Sequence, residues 1–300
     1  MQTVAVTGAS GLIGTALTAA LEGRGDRVIP VGRRPPVGGG AWDPVARRID
    51  EAALEGVDAV IHLAGESIDG RWTSSKKRRI LDSRVEGTEV LVGALSRLDR
   101  PPAVVVSASA IGFYGDRGDE ELTEDSEPGT GFLAEVCERW EAAAAPIASP
   151  DTRLVLARTG IVCTPDGGAL GRMLALTRLG LGGRLGNGRQ WWSWITLEDE
   201  VRALLHLLDT PMAGPVNLIA PGACRNAEVV RTLARARRRP AVLPAPALAL
   251  RAVLGEMANG LLLASTRARP VRLEDSGFIF RSPDFAAAIS ELLSAGQPRP

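Results

Sequence analysis

Short apolar runs alternate with longer amphipathic stretches through the first half of the chain. The apolar runs predict strands at Thr3 to Thr7, Arg27 to Gly32, Ala59 to Leu63, Ala103 to Ser107 and Arg153 to Ala157. The stretches between them predict helices near Leu12 to Arg24, Lys76 to Leu98 and Phe132 to Ala145. Strands that alternate with helices are typical of a parallel sheet covered on both faces. We therefore expect an α/β fold with a doubly wound parallel sheet of the Rossmann type.

The alternation weakens after Gly160, where glycine becomes frequent. The pattern there predicts an amphipathic piece at Met173 to Leu179, a strand at Pro215 to Ile219, and helices at Leu197 to Leu208, Asn226 to Arg238, Ala247 to Leu263 and Phe285 to Leu293. We expect a cofactor-binding domain over residues 1–165, to whose sheet residues 190–222 return. Residues 166–189 and 223–296 are expected to form a smaller, mostly helical cap that holds the substrate.

Composition excludes several classes of protein. The chain has 300 residues, 45% of them hydrophobic, and 35 basic residues balance 35 acidic ones. A net charge of zero gives no overall attraction to nucleic acid or to an anionic membrane, so we expect neither as a partner. Three separated cysteines argue against a disulfide framework, and no segment is typical of a signal peptide or a membrane span. We expect a cytoplasmic protein, with a homodimer as one assembly open to it.

A glycine-rich turn near the start of the chain is the first candidate ligand-binding motif. Val4 to Gly14 reads VAVTGASGLIG, which is a strand, a tight turn and the start of a helix. Glycines at Gly8, Gly11 and Gly14 allow close approach of a pyrophosphate to the unpaired N–H groups of the helix N-terminus. A dinucleotide is the expected ligand, although such a turn alone could be purely structural.

Two arginines bear on the choice of cofactor. Sites specific for NAD usually place an acidic residue at the end of the second strand, and this chain has Arg33 and Arg34 there. Guanidinium groups can hold a 2′-phosphate, so NADP (NADPH) is the expected cofactor, while the alternative is that one of these arginines is only solvated. His62 and His206 fall at apolar positions and are expected to be packed residues, and no metal site is expected.

Several motifs resemble one family. TGASGLIG, VDAVIHLAG, VSASAIGFYGD and LARTGIV resemble the extended short-chain dehydrogenase/reductases that include sugar-nucleotide epimerases. The block RWTxxxKxxIxxSRVxGT at Arg71 to Thr88, the pair Trp140-Glu141 and the arginine-rich C-terminal third resemble its atypical, 39U-like branch of epimerase family proteins with a C-terminal domain of unknown function.

The resemblance, together with the residues above, implies a set of cofactor contacts. Arg84 would lie beneath the cofactor, and Ile161 would lie near the nicotinamide. The expected cofactor-binding residues are Gly8, Ser10, Gly11, Leu12, Ile13, Gly14, Arg33, Arg34, Leu63, Ala64, Gly65, Arg84, Ser107 and Ile161.

The catalytic residues of that superfamily are incomplete here. Its enzymes use a serine, a tyrosine and a lysine four residues after the tyrosine. Ser109 fits the serine position, but Phe132 and Val136 stand where the tyrosine and lysine are expected. The only tyrosine is Tyr114, which is the candidate proton donor, with Ser109 as its hydrogen-bond partner and Asp116 or Glu135 as proton carriers. The alternative that the resemblance implies is that Tyr114 and Gly115 shape the loop after the serine strand and transfer no proton.

Two functions therefore stay open. One is an NADP-dependent oxidoreductase or epimerase-like enzyme with a small, sugar-nucleotide-like substrate. The other is a protein that binds NADP(H) without turnover, as a redox sensor or scaffold. Trp191, Trp192 and Trp194 could stack on a ligand or pack the cap, with Trp194 expected to pack. The arginines from Arg231 to Arg239 are expected to be a solvated helix end.

Overall fold

The computed structural model describes residues 1–180, 182–241 and 243–295. Residues 181, 242 and 296, which fall within the expected cap, lie outside the described residues. Fourteen strands are assigned in the described ranges: β1 Thr3–Thr7, β2 Arg27–Gly32, β3 Gly40–Asp43, β4 Arg48–Ile49, β5 Ala59–His62, β6 Val104–Ala110, β7 Glu121–Leu122, β8 Arg153–Thr159, β9 Ile161–Cys163, β10 Trp191–Trp192, β11 Trp194–Thr196, β12 Gly214–Leu218, β13 Cys224–Arg225 and β14 Arg267–Ala268.

The helices of the described ranges follow the expected order. They are α1 Leu12–Gly23, α2 Ser74–Leu95, α3 Phe132–Ala144, α4 Gly168–Arg178, α5 Leu197–Asp209, α6 Asn226–Ala236, α7 Ala247–Leu254, α8 Val271–Asp275 and α9 Phe285–Ala295. None of them combines the length and the apolarity that crossing a bilayer would require.

The main sheet has the order β12-β8-β6-β5-β1-β2-β3-β4, and all its pairs are parallel except β3 with β4. The chain moves outward from β1 in one direction through β2 and β3, and in the other through β5, β6, β8 and β12. The strand order therefore reverses between β1 and β5, which is where doubly wound sheets bind ligands at their carboxyl ends. The expected α/β Rossmann architecture is confirmed.

Side-chain alternation assigns each helix to a face of this sheet. Alternate residues of the central strands, among them Val4, Val6 and Val106, pack with α1 and α5. The intervening residues, among them Ala5, Val60 and Val105, pack with α2 and α3. A buried strand residue on either face is thus covered by helix, which explains why the central strands are apolar throughout.

The second half of the chain both extends the sheet and covers its end. Strand β12 pairs in parallel with β8, so the chain does return to the sheet after the glycine-rich segment. Three two-stranded ribbons, β9 with β11, β10 with β13 and β7 with β14, connect the later segments to the earlier ones. A separate apolar cluster beneath α4, α6 and α9 contains Leu174, Trp194, Leu233 and Ile289.

The expected single helix from Ala247 to Leu263 is wrong. Helix α7 ends at Leu254, its C-cap residue Gly255 has a φ of 63°, and a π-helical turn follows at Ala258–Leu263. Glycine adopts this left-handed conformation without the steric penalty of a side chain, so the break falls where the sequence permits it.

Candidate functional site

The glycine turn after β1 is shaped by contacts that a side chain would prevent. Gly8 has a φ of 71°, and a Cβ there would lie 2.9 Å from the backbone nitrogen of Ala64. A Cβ on Gly14 would lie 2.2 Å from the carbonyl oxygen of Gly8. The N–H of Gly11 donates to that same carbonyl at 2.9 Å. The three glycines therefore let β1, the turn and α1 pack against the end of β5.

The N-terminus of α1 is open to a ligand. Its N-cap residue is Gly11, which provides no side-chain hydrogen bond to the first turn, and Ser10, Gly11 and Leu12 are exposed. Ile13 is half-buried behind them. Uncapped N–H groups and the positive end of the helix dipole favour an anion at this place. The residues present thus fit the pyrophosphate of a dinucleotide.

Arg33 and Arg34 follow β2, the neighbour of β1, and both are exposed. Among the described residues neither guanidinium has a carboxylate within 4.0 Å, the distance limit for an ion pair. Because no acidic side chain neutralises them, both remain available to an anionic ligand group.

The segment after β5 lies on the other side of the turn. Ala64 is buried and its N–H donates to Thr7 Oγ1 at 3.3 Å, while Leu63 is half-buried. A Cβ on Gly65 would lie 3.2 Å from the guanidinium carbon of Arg84. Leu63, Ala64 and Gly65 therefore form the wall opposite β2.

Arg84 on α2 holds this wall in place. Its Nη1 donates to the carbonyl oxygens of Glu66 at 3.0 Å and Ile80 at 3.1 Å. Its guanidinium carbon lies 5.0 Å from the ring centre of Trp140, within the range of a cation–π contact. Burial lowers the pKa of Arg84 from its ordinary value. The half-buried side chain thus braces the loop, with two backbone carbonyls as partners.

Two further residues of the expected cofactor set have different positions. Ser107 is fully buried within β6, and its Oγ has no hydrogen-bond partner among the described atoms. Ile161 is half-buried at the start of β9, where its N–H donates to the carbonyl of Ser193 at 2.9 Å. Ile161 is thus near the carboxyl end of β8, whereas Ser107 lies deeper in the sheet.

Ser109 takes part in a buried ionic network. Its hydroxyl donates to Glu141 Oε1 at 2.6 Å. The same carboxylate accepts two hydrogen bonds of 2.8 Å from Arg158, one to each oxygen. Arg158 also lies 3.6 Å from the ring centre of Phe113. Burial acts to lower the pKa of Arg158, but its hydrogen bonds to Glu141 outweigh that effect and the pKa is raised.

Tyr114 belongs to the same network and is fully buried. Its hydroxyl donates to Asn217 Oδ1 at 2.7 Å and accepts from Arg158 Nη1 at 3.0 Å. The expected hydrogen bond between Tyr114 and Ser109 is wrong, because Ser109 donates to Glu141 instead. Burial also raises the pKa of the Tyr114 phenol. The suggested proton carriers Asp116 and Glu135 are exposed, and Glu135 pairs with Arg139 at 3.5 Å.

We expect Tyr114→Phe to lower the free energy of unfolding by about 1–2 kcal/mol, because it leaves Asn217 Oδ1 and one N–H of Arg158 without a partner. NADPH affinity should stay within about twofold, since the phenol is buried away from the glycine turn. Urea unfolding and fluorescence titration measure the two quantities. Loss of NADPH binding without loss of stability would contradict the structural role.

Sequence reasoning missed Glu141 and Arg158 as members of the site, although both belong to motifs that carry the family resemblance. The signal was available at Arg158, because a charged residue in the apolar run Arg153–Thr159 must find a buried partner. Which carboxylate serves as that partner depends on the packing of α3 against β6 and β8, and the sequence does not show it.

Two residues of α3, Leu133 and Cys137, contact the turn that follows β6. A Cβ on Gly112, just after β6, would lie 3.3 Å from Leu133 Cβ and 3.6 Å from Cys137 Sγ. Phe132 and Val136 belong to an apolar cluster with Trp72 and Met257, in which Leu133 also packs. Neither the expected positions nor the residues that contact the turn after β6 offer a hydroxyl or an amine.

Two of the three tryptophans are buried, and the third is half-buried. Trp194 is 1% exposed, packs edge-on against Phe285 and donates to the carbonyl of Gly222 at 2.6 Å, so the expected packing role is confirmed. Trp192 is also buried. Trp191 is half-buried between the guanidinium groups of Arg225 and Arg267, whose central carbons lie 4.4 and 5.0 Å from its ring centre.

The two histidines are packed, as expected. His62 is fully buried between Thr7 Oγ1 at 2.7 Å and Thr88 Oγ1 at 3.2 Å, and burial lowers its pKa to about 4. His206 contacts Ser276 and Phe278. In the described ranges, no three His, Cys, Asp or Glu side chains are grouped so as to hold a metal ion.

Two families match the chain. Residues 4–219 match the NAD-dependent epimerase/dehydratase family. Residues 245–292 match a family described as a domain of unknown function, DUF1731. The second match includes α7, the π-helical turn and most of α9.

Individual relatives match over nearly the whole chain. An epimerase family protein of Mycobacterium bovis is 45% identical over 290 residues, which is 95% of this chain and 96% of that protein. The crystal structure of the human epimerase family protein SDR39U1 with NADPH superposes with a TM-score of 0.91 at 35% identity, covering 97% of this chain and 99% of that one. A structure of MoeE5 with UDP-glucuronic acid and NAD has a TM-score of 0.77 at 25% identity, covering 98% and 100%.

The glycine turn at the strand-order reversal, the matches to both families and the relatives covering the chain from end to end agree with one another. The chain belongs to the NAD-dependent epimerase/dehydratase family and has a C-terminal domain of the DUF1731 family.

Proposed function

We propose that the chain is an NADP-binding oxidoreductase of the epimerase-like extended short-chain dehydrogenase/reductase type. The observation that carries the proposal is the uncapped glycine turn of α1, with the unpaired arginines Arg33 and Arg34 on the adjoining strand end. The human relative whose structure contains NADPH supports the choice of NADP.

In this proposal each side of the turn holds a different part of the cofactor. The N–H groups at Leu12 and Ile13 hold the pyrophosphate, with Gly11 allowing its close approach, and Arg33 and Arg34 hold the 2′-phosphate. The wall at Leu63 to Gly65, braced by Arg84, lies along the adenosine half, and Ile161 lies near the nicotinamide. Ser107, which is buried, would act only by supporting this wall from within the sheet. Bound NADPH supplies a hydride from C4 of its nicotinamide.

Replacing both Arg33 and Arg34 with alanine should weaken NADPH binding by about 10–100-fold and change NADH binding by less than about twofold, because only NADPH carries the 2′-phosphate that each guanidinium would pair with. Arg48→Ala, an exposed arginine on β4, is the matched control and should change neither affinity. Equal weakening for both nucleotides would contradict the assignment of the 2′-phosphate.

For proton transfer we propose Ser109 as the polar group that meets the substrate, with Tyr114 as a positioning residue. The hydroxyl hydrogen of Ser109 is directed to Glu141. When a substrate hydroxyl is oxidised, its proton would pass to Ser109 while the Ser109 proton passes to Glu141, and the reverse transfers would protonate a substrate carbonyl that accepts a hydride. Tyr114 orients Arg158, which in turn orients Glu141. The relay thus uses no side chain of α3 at the usual tyrosine and lysine positions.

The second candidate is an NADP(H)-binding protein without turnover, acting as a redox sensor or scaffold. Phe132 and Val136 favour it, because they lack the hydroxyl and the amine that the superfamily uses for proton transfer, and burial raises the pKa of the thiol at Cys137, the next residue after Val136, to about 12. A cytoplasmic location, a homodimer and the division into a cofactor domain (1–165) and a cap (166–189 and 223–296) stay predictions from the sequence.

A substrate screen separates the two candidates. Protein saturated with NADPH is mixed with sugar nucleotides, quinones and aldehydes, and nicotinamide absorbance is followed. The oxidoreductase proposal expects turnover with at least one class, and a sugar-nucleotide-like compound is the first choice because a MoeE5 structure contains UDP-glucuronic acid. Ser109→Ala should lower that turnover by about 100-fold without changing NADPH affinity. Binding without turnover across all three classes would favour the sensor.

A further inference from the structure

Although the net charge of the chain is zero, its basic and acidic residues are distributed unevenly along the sequence. Residues 167–197 contain four arginines and no acidic residue, and residues 229–255 contain six arginines and no acidic residue. These two segments include α4, α7 and all of α6 except its first three residues, which contain Glu228. The rest of the chain has 25 basic and 35 acidic residues, so the two segments carry an excess of positive charge that the rest of the chain balances.

Most of these arginines are also without an ionic partner. Arg178, Arg184, Arg235, Arg238 and Arg239 are exposed. Among the described residues, Arg172 is the one member of the ten with a carboxylate within 4.0 Å, through its pair with Asp69. A surface of exposed arginines that lacks acidic neighbours attracts anions from solution.

The same segments expose large apolar side chains. Ten such side chains are exposed in the described ranges, and five of them lie here: Leu176, Leu179, Leu243, Leu248 and Val253. Helix α7 has the sequence ALALRAVL and contains no buried residue. Single exposed apolar residues are ordinary, but an apolar helix with no buried side chain is not.

The periodicity of α4 shows that its exposed leucines share a face. Leu170, Leu174 and Thr177 are buried against the apolar cluster beneath the helix. Arg172 and Leu176 are exposed four residues apart, and Leu179 follows three residues later just beyond the helix end. Residues at this spacing lie on one side of a helix, so the outward side of α4 is apolar at Leu176 and Leu179, and Arg172 on the same side is paired with Asp69.

Backbone contacts place the two segments side by side. The N–H of Ala245 donates to the carbonyl of Arg184 at 2.9 Å, and the N–H of Gly186 donates to the carbonyl of Ala245 at 2.9 Å. A Cβ on Gly183 would lie 1.7 Å from the carbonyl oxygen of Leu243. Residues 183–186 therefore lie next to residues 243–245, which directly precede α7. Arg239 is only four residues from Leu243, so the basic end of α6 adjoins the same surface.

We propose that this surface, which we call the basic apolar face (Leu176, Leu179, Arg235, Arg238, Arg239, Leu243 and Leu248), docks on an anionic lipid bilayer. Exposed leucines enter the boundary between headgroups and acyl chains while arginines pair with lipid phosphates. A second copy of the chain would bring like charges together, and a nucleic acid would leave the leucines unburied. A bilayer can bind the arginines through its phosphates and the leucines through its acyl chains.

The docking is peripheral and depends on ionic strength. Each arginine near an anionic membrane surface adds about fivefold to the partition coefficient, and the effect is screened over a Debye length. The protein should therefore bind vesicles that contain phosphatidylglycerol and not vesicles of phosphatidylcholine alone, and added salt should release it. This inference is independent of the proposed oxidoreductase activity, and its test needs neither cofactor nor substrate.

The test is cosedimentation of the full chain with vesicles of phosphatidylcholine and about 30 mol% phosphatidylglycerol in about 0.1 M salt. A triple variant, Arg235→Glu, Arg238→Glu and Arg239→Glu, should bind at least about 100-fold more weakly. The matched control, Arg27→Glu, Arg48→Glu and Arg78→Glu, changes the net charge equally on other exposed surfaces and should stay within about threefold. Leu243→Asp with Leu248→Asp should weaken binding about tenfold.

Several outcomes would overturn the proposal. They are no sedimentation with anionic vesicles, an equal loss in the control variant, or release of the protein by about 10 mM inorganic phosphate at constant ionic strength, which would indicate a site for a free anion. A dimer in light scattering that Leu248→Asp dissociates, without vesicle binding, would assign the face to a second copy. Unchanged circular dichroism for each variant excludes misfolding as the cause of a loss.

Discussion

Replacing Arg158 with methionine is expected to lower the free energy of unfolding by about 3–5 kcal/mol, because it leaves the buried carboxylate of Glu141 without its cation. Both members of this pair are almost fully enclosed, with side chains 5% and 10% exposed. The substitution also removes a donor to the Tyr114 hydroxyl. Urea unfolding at neutral pH measures the change.

A double variant separates the cost of an unpaired charge from the value of the pair. Arg158→Met with Glu141→Leu should recover most of the loss, since burying two apolar groups is often no worse than burying an ion pair. Arg139→Met, which breaks an exposed pair on the same helix α3, should have little effect. If Arg158→Met were as mild as Arg139→Met, the buried network would not be holding α3 against β6 and β8.

Glu200→Gln should make the protein more stable than the wild type above neutral pH. Glu200 is fully buried, accepts one hydrogen bond from Thr159 Oγ1 at 2.8 Å, and its Oε2 has no partner among the described atoms. Burial raises the pKa of this carboxyl from 4.5 to about 8. The side chain is therefore protonated in the folded protein at neutral pH, whereas it ionises on unfolding.

The sign of the pH dependence follows from that difference. Between pH 4.5 and 8 the folded state holds a proton that the unfolded state releases, so the wild type loses stability as pH rises through this window. Glutamine does not titrate, and Glu200→Gln should gain about 3 kcal/mol relative to the wild type between pH 5 and pH 8. Glu138→Gln, an exposed change on α3, should leave the pH profile unaltered. Parallel stability curves for Glu200→Gln and the wild type would show that Glu200 does not titrate in this range.

The sequence predicts the main sheet well because its central strands are continuous apolar runs between helices. It does not predict β3 and β4, since Gly40–Asp43 and Arg48–Ile49 are short and follow a glycine- and proline-rich stretch. It also predicts one helix where α7 and the π-helical turn occur, because hydrophobic periodicity does not register the conformation that Gly255 adopts.

The cofactor turn could be located from the sequence since it depends on local residues, Gly8, Gly11 and Gly14, and on the strand order around them. The polar network could not, because Ser109, Glu141 and Arg158 come from three elements that meet only in the folded protein. The burial of Tyr114 likewise depends on Asn217, about a hundred residues away in the chain.

The overall charge balance likewise does not show how charged residues are distributed along the chain. Equal numbers of basic and acidic residues predict no attraction to a membrane. Their distribution differs, because residues 167–197 and 229–255 contain ten arginines and no acidic residue. Because salt screens electrostatic interactions over about 10 Å, the attraction of a docked surface to a bilayer depends on the charges of that surface and not on the net charge of the protein.

A titration of the wild-type protein with NADPH and with NADH, at one ionic strength and followed by nicotinamide fluorescence, tests the central claim most directly. The uncapped turn of α1 with Arg33 and Arg34 beside it predicts saturable binding of NADPH, at least about tenfold tighter than that of NADH. Equal affinity for the two nucleotides, or no saturable binding of NADPH, would contradict it.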